Sequence, residues 1–567
     1  MASGSSHRFL RVSLGFWRGA TRGRAWFLTI SVLLFLAANL AASLLVTLWN
    51  KYFFDSLERK DADAVLLSIG LALALAMFSG LASFGLLYAR MRLQVRWRQW
   101  LSGTLISRWM SDRHFYQMTV LPATADNPEA RITEDGKLAI ELLVDFSIGV
   151  LNAILAAASF ISILWVVGGS LTVYGYSIPG YMVLACILHS AMTTLLMFLM
   201  GRPLVRHVEE KVACEAQLRY ELTRVKDNAE IIALSGGDKD ECERLHVTVS
   251  RLVQRWLRVV AWQGRMTLLN GSNLVLAPIV PLLLGAPKYL SGEMSLGSLM
   301  QAATAFMQVQ LALNWLSDNA MRLADWFASS HRVSQLLAAL DRLEASLGTV
   351  GQGDTIKLAA SPDNRIYLRR LNIALQDGRM AIEGDDVVIE PGQKVLVRGD
   401  LATGRNTLIH AMAGLWPWGS GEILRPEGAS IGFLSQRPYF PIGTLRTAIV
   451  YPSAGQEVSD ARLREMLMRV GLEHLLARLE ETTQWSSQLS GSEQQRLAFA
   501  RVLLQPPDIL IMDEPTSFLD ELSRFKLMEY MRDLLTSTTV IHAGHSTGLE
   551  PFHDREIRLV RVAQGQR

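Results

Sequence analysis

Leu489-Ser490-Gly491-Ser492-Glu493-Gln494-Gln495-Arg496, followed by Ile509-Leu510-Ile511-Met512-Asp513-Glu514, is the stretch that decides the fold of this chain. The first segment reads as a glycine-containing turn that opens a helix. The second is an apolar run that stops at two carboxylates. A buried strand delivering Asp513 and Glu514 to its C-terminal edge suits a magnesium-nucleotide site, because ligands gather at that edge of open α/β sheets. The helix that starts at the Ser-Gly turn offers unpaired backbone N–H groups and a positive dipole end to a phosphate.

Upstream the composition changes character. Of the 567 residues 50% are hydrophobic and only 19% are charged, and the mean hydropathy is positive. That balance points to a membrane portion and to more than one domain. A formal charge of +3 gives no reason to expect a nucleic-acid partner. Cys186, Cys214 and Cys242 form neither a metal-ligand spacing nor an even disulfide set.

Six apolar stretches precede residue 320: Trp26–Trp49, Ala64–Tyr88, Leu142–Val167, Tyr181–Met200, Leu268–Leu290 and Leu296–Leu316. The first four have the length that a bilayer-spanning helix needs. The fifth contains Pro278, Pro281 and Pro287, and the sixth carries Gln301, Gln308, Gln310 and Asn314. Such amides face other helices or a water-filled cavity, so they serve either as interhelical hydrogen-bonding groups or as substrate contacts. Residues 1–24 hold Arg8, Arg11, Arg18, Arg22 and Arg24 and no acid. Their reading stays open between a disordered tail, a surface-lying amphipathic helix, or both, the helix suggested by Phe16 and Trp17. The connections after the second and fourth spans are long and basic, so positive-inside counting places both chain ends in the cytoplasm. Helical periodicity in those connections, as in Val95–Leu101, predicts membrane helices that continue beyond the bilayer and offer a docking surface to a cytoplasmic motor.

Met321–Leu347 continues as helix, and Gly351–Asp363 reads as a linker. Short β-rich runs then alternate with helical stretches: Ile366–Ile373, Asp386–Ile389, Lys394–Arg398, Ser430–Leu434, Ile509–Met512 and Thr539–His542. This is the pattern of an α/β domain. Lys394–Arg398 runs into Gly399-Asp400-Leu401-Ala402-Thr403-Gly404-Arg405-Asn406-Thr407. The phosphate-loop template is G-x-x-x-x-G-K-[ST], with Lys on the β/γ oxygens and a hydroxyl on magnesium. Gly399 and Gly404 have its spacing, but Arg405 and Asn406 stand where Lys and Ser/Thr belong. Arg405 keeps the charge in a bulkier planar fork, and Asn406 offers an amide oxygen, with the Thr407 hydroxyl adjacent.

Taken in series, these motifs resemble those of ATP-binding cassette (ABC) ATPases. The resemblance implies a signature motif at Ser490, Gly491, Ser492 and Glu493, which closes on the nucleotide of a partner subunit. It implies a magnesium site drawing on Asn406, Gln436 and Asp513. It assigns Glu514 to the attacking water, Gln436 to the Q-loop role and His545 to the γ-phosphate. Pro515–Asp520 is similar to the D-loop, and Leu375 stands where a stacking aromatic is expected. Thr124–Asp135, with Asp126-Asn127-Pro128-x-x-Arg131-Ile132-x-x-Asp135, resembles the membrane domain of SbmA/BacA-like ABC proteins, including the YddA-like branch. Related wording occurs in the peroxisomal subfamily D. Trp416-Pro417-Trp418-Gly419 carries the same likeness.

The expected architecture is an α-helical six-span membrane domain (type IV exporter-like) fused to an α/β P-loop nucleotide-binding domain. Its expected boundaries are a basic segment at 1–24, the membrane domain at 25–320, a connecting helix and linker at 321–363 and the cassette at 364–567. The resemblance implies a homodimeric, ATP- and Mg2+-dependent transporter in a bacterial inner membrane that imports peptides or bulky solutes such as cobalamin. Two rivals stay open: a fatty-acid or acyl-CoA transporter, and a weakly hydrolysing nucleotide-gated receptor suggested by Arg405 and Asn406.

Overall fold

The computed structural model describes residues 2–120, 127–173, 176–348, 355–374, 380–383, 386–399, 405–452, 458–544 and 548–559. The chain divides into two compact units, Met1–Arg108 with Ala125–Ala338, and Trp109–Thr124 with Ala339–Arg567.

The first unit is helical. Among the described residues five helical stretches are long and apolar enough to cross a membrane: Arg22–Arg59, Ala62–Thr119, Pro128–Gly168, Tyr181–Asp227 and Asp238–Leu290. Asp238–Leu290 stays helical through Pro278, Pro281 and Pro287. At 1.5 Å per residue a 53-residue helix is about 80 Å long, far more than a bilayer's hydrocarbon. The basic connections do therefore continue the membrane helices. The uncharged connection after the third span is a small antiparallel ribbon, Ser170–Val173 against Tyr176–Pro179.

The sixth apolar stretch forms the helix Leu296–Asp318, which packs against the first, third, fourth and fifth spans. Its interior position explains its polarity. Gln310 donates to Asn273 at 3.0 Å, and Asn273 also meets His189 at 2.9 Å. Thr194 donates to Asn314 at 3.4 Å. Gln310 and Asn314 thus make interhelical hydrogen bonds. The helix begins where Asp55 and Glu58 accept from the backbone of Gly297 and Leu296, a favourable place for carboxylates at a helix N-terminus. Gly297 is required there, since a Cβ would stand 2.2 Å from the Lys51 carbonyl.

Asn127 adopts a left-handed φ of 52° and Pro128 occupies the first helical turn, as its sequence suggests. The chain continues as a π-helical turn, Arg131–Asp135. Both ends of that turn grip the Ala320–Gly348 helix: Arg131 donates to the Arg332 carbonyl and to Gln335, and Arg332 forks onto Asp135 at 2.6–2.9 Å.

The second unit is built on a parallel sheet in the order Arg555–Arg558, Lys394–Arg398, Thr539–Ala543, Ile509–Asp513, Ile431–Leu434. Side chains alternate across it. Leu396, Leu510, Met512 and Val540 pack under the Gly491–Leu504 helix. Val395, Val397, Ile509, Ile511 and Ile541 face the opposite layer, with Leu408 and Trp416. A second sheet carries Lys357–Ala360, Gly419–Arg425, Ile366–Ala374, Met380–Glu383 and Val387–Ile389. Lys357–Ala360 falls within the stretch read as linker; it pairs in parallel with Gly419–Arg425 and so belongs to this sheet.

Lys394 is 9% exposed, and its ammonium donates to four carbonyls, those of Gly392, Leu535, Thr536 and Thr538, at 2.8–3.4 Å. Leu535 caps the Glu521–Leu534 helix, so the cation sits at a helix C-terminus. Burial pushes its pKa below the usual lysine value, with Asp554 opposing. Lys394→Met leaves these carbonyls without their charged donor. It is expected to cost about 3 kcal/mol, read as a lower unfolding midpoint of this unit in the full chain.

Candidate active site

The parallel register brings the sequence-marked residues to one edge. Asp513 pairs with Ala543, Ala543 with Val397, and Met512 with Leu434. Gly399, Gln436 and the Asp513-Glu514 pair therefore leave strands of one sheet at its C-terminal edge, where ligands gather. Asp400, Leu401, Ala402, Thr403, Gly404 and His545 lie outside the described residues, as do Leu375 and the side chain of Arg405. Asn406 is exposed in the first turn of the Arg405–Met412 helix, beside Thr407.

Glu514 has a φ of +44°, unusual for a side chain of its size. Its N–H is held by the Ala543 carbonyl at 2.9 Å, and its own carbonyl accepts from Ser517 at 3.3 Å. Such a conformation costs roughly 1–3 kcal/mol and persists where surrounding structure fixes it, commonly at functional sites. His410 lies on the helix after the phosphate loop. Burial holds its imidazole below the ordinary histidine value, while the Asp513 carboxylate pulls the other way.

Ser490 and Glu493 form a reciprocal capping box at the start of the Gly491–Leu504 helix. Glu493 accepts from the Ser490 N–H at 2.9 Å and contacts His474 at 2.9 Å. Burial works against its ionised form, but the Ser490 and His474 bonds outweigh it and lower the pKa. Ser490 and Glu493 are thus both engaged in shaping the start of this helix. Gly491 packs against Phe518, with a hypothetical Cβ 3.1 Å from the ring.

Gln495 carries a role that sequence reading missed. It is 1% exposed and donates to the Gln436 carbonyl and to Ser517, each at 3.0 Å, while accepting from the Phe518 N–H at 3.0 Å. One amide therefore joins the signature helix, the segment after the Ile431–Leu434 strand and the segment after Glu514. Its place on the buried helix face, one turn beyond Gly491, signals burial but not these partners.

A second missed element is the helix His114–Val120, which the chain reaches through left-handed Asp112 and Arg113. It docks within this unit beside the Arg405–Met412 helix. Arg113 donates to the Ala413 carbonyl at 2.9 Å, and Tyr116 meets His410 at 3.2 Å. His114, Gln117 and Met118 are buried.

The oxygens at the sheet edge (Asn406 and Gln436 amides, the Thr407 hydroxyl, the Asp513 carboxylate) are hard donors of the kind magnesium takes. Among the described residues no three His, Cys, Asp or Glu side chains form a metal cage. Nucleotide sites hold magnesium by one or two carboxylates together with phosphate oxygens and waters, so this donor set fits.

Two family models match the chain, the ABC transporter transmembrane region 2 over residues 18–290 and the ABC transporter domain over 382–517. An uncharacterized ABC transporter ATP-binding protein of Haemophilus influenzae is 30% identical over 95% of this chain and 90% of its own length. The inner membrane ABC transporter ATP-binding protein YddA of Escherichia coli is 28% identical over 96% and 95%. The human lysosomal cobalamin transporter ABCD4 is 28% identical over 89% and 87%. A bacterial Atm1-family ABC exporter with ATP bound shares the fold at a TM-score of 0.66, with 17% identity over 94% of this chain and 93% of that one. A helical transmembrane region and an ATP-binding domain in one polypeptide, matched over nearly full length, place this chain in the ABC transporter family.

Proposed function

We propose that this chain is a homodimeric half-transporter of the SbmA/BacA-like branch, in a bacterial inner membrane with both termini cytoplasmic. ATP binding and hydrolysis at two composite sites drive alternating access. The observation that carries the reading is the sheet edge where Gln436, Asp513 and strained Glu514 meet, tied through Gln495 to the signature helix. In this site Gly399–Gly404, with Arg405, cradles the phosphates. Asn406 or Thr407, Gln436 and Asp513 hold the metal, directly or through water. Magnesium, when bound, neutralises charge on the β- and γ-phosphates. Glu514 orients the attacking water and takes its proton, and His545 contacts the γ-phosphate. Ser490, Gly491 and Ser492 act on the partner subunit's nucleotide through the N-terminus of their helix.

The helix His114–Val120 carries the change to the membrane helices, because it continues the Ala62–Met110 helix yet docks on the phosphate-loop helix through Arg113 and Tyr116. The clamp of Arg131 and Asp135 on the Ala320–Gly348 helix gives the motif that includes these two residues a mechanical use. Peptides or a bulky hydrophilic solute such as cobalamin form the substrate class, supported by that motif and by the likeness to a cobalamin transporter.

The replacements Arg405 and Asn406 favour one second reading, a weakly hydrolysing receptor. The double change Arg405→Lys with Asn406→Ser discriminates. As a transporter adapted to its own loop, the protein keeps its turnover within about tenfold, 1.4 kcal/mol of barrier. A larger rise in steady-state ATPase rate supports the receptor.

A further inference from the structure

The N-terminal segment is a built part of the first unit. Ala2–Ser13 is a helix, and Leu14–Trp17 is a tight turn that leads into the first span. Phe9 and Phe16 are buried. The Phe16 ring lies 6.2 Å from both Trp97 and Trp100, and Trp17 meets Trp97 edge-on at 4.6 Å. Trp17 also donates to Thr29 at 3.1 Å.

Beneath this segment is a cavity of about 360 Å³, walled by apolar residues that include Leu10, Val32, Leu36, Leu93 and Ile148. A second space of about 560 Å³ shares Leu14, Trp17 and Thr29 with it and adds Arg18, Arg22 and Trp26. Both volumes are of ligand-pocket size. No carboxylate lines either space among the described residues, so the outer one is cationic and the inner one apolar. Ser13 lines the inner cavity and is 1% exposed, and its Oγ has no hydrogen-bond partner among the described residues. A hydroxyl buried without a partner is costly, which points to an occupant that carries an acceptor. Trp26 is 50% exposed and Phe27 70%, so the mouth opens beside a face suited to lipid.

We propose that the paired cavities bind one anionic phospholipid from the leaflet that meets the N-terminal segment. An acyl chain fills the inner cavity, an ester oxygen accepts from Ser13, and the phosphate rests on Arg18 and Arg22. A zwitterionic lipid would leave the two guanidinium groups poorly matched, and the apolar inner wall is unsuited to a hydrophilic solute. The site is independent of the transported substrate.

The test is native mass spectrometry of the full chain in detergent, titrated separately with phosphatidylglycerol, phosphatidylcholine and oleate. Phosphatidylglycerol should be retained in preference to phosphatidylcholine. Arg18→Gln with Arg22→Gln, at exposed positions, should weaken that retention roughly fivefold per arginine. Ser13→Leu should weaken it as well by occupying the inner cavity. Equal retention of the two phospholipids, unchanged by the arginine pair, would overturn the site in favour of unspecific lipid contact. Saturable binding of oleate without phosphatidylglycerol would overturn the phospholipid assignment.

Discussion

Replacing Glu514 with Gln lowers steady-state ATP turnover by about 10²–10⁴-fold while leaving ATP binding intact. The change keeps the side chain's size and hydrogen bonding but removes the group proposed to take the water's proton. Glu514 sits at φ +44° with its backbone tied to Ala543, so the strand end fixes its backbone. Binding survives because the phosphate contacts are assigned to Gly399–Thr407 and the metal to Asp513. Purified protein and variant are compared by phosphate release and by nucleotide-binding titration. Equal, negligible release in both would sink the assignment of an active transporter, and equal, substantial release would remove Glu514 from the reaction.

Gln495→Leu should produce the second large effect, on two readouts together. The substitution leaves the Gln436 carbonyl, Ser517 hydroxyl and Phe518 N–H without their shared amide. Polar groups buried without partners cost about 1–3 kcal/mol each at most, so a loss of roughly 3 kcal/mol is expected where water reaches some of them. For a domain of this size that lowers the unfolding midpoint by about 6–12 °C. Turnover should also fall by up to about 10²-fold, the cost of small misplacements of positioned groups. Gln495→Glu, which keeps the acceptor, should retain the Phe518 bond and fall between the two. A midpoint change with unaltered turnover in the surviving protein would reduce Gln495 to a packing residue.

Most of the cassette was legible because its strands are short apolar runs that end at chemically distinctive residues. Lys394–Arg398 appears at its expected limits, and Ile509–Asp513 and Thr539–Ala543 each extend one residue past theirs. The spans were legible by length. The sixth was the difficult one, since Gln301 and Gln310, both buried, dilute its hydropathy, and Gln310 is accommodated by donating to Asn273 of the fifth span. Lys357–Ala360 was hidden because an edge strand with all four residues exposed shows no apolar alternation, and it lies next to a run of Gly, Asp and Ser. Gln495 and Tyr116 could not be found from sequence for a different reason. Their partners, Gln436 with Ser517 and His410, are remote in the chain, and only the tertiary fold brings them together.

The central claim is that ATP hydrolysis at this sheet edge moves a solute across the membrane. Its most direct measurement is accumulation of labelled peptide and labelled cobalamin by sealed vesicles carrying the full chain, with ATP on the cassette side. The account predicts ATP-dependent movement of one of these solutes by the unaltered protein and none by Glu514→Gln. Movement that persists in Glu514→Gln, or that proceeds equally without ATP, would contradict it.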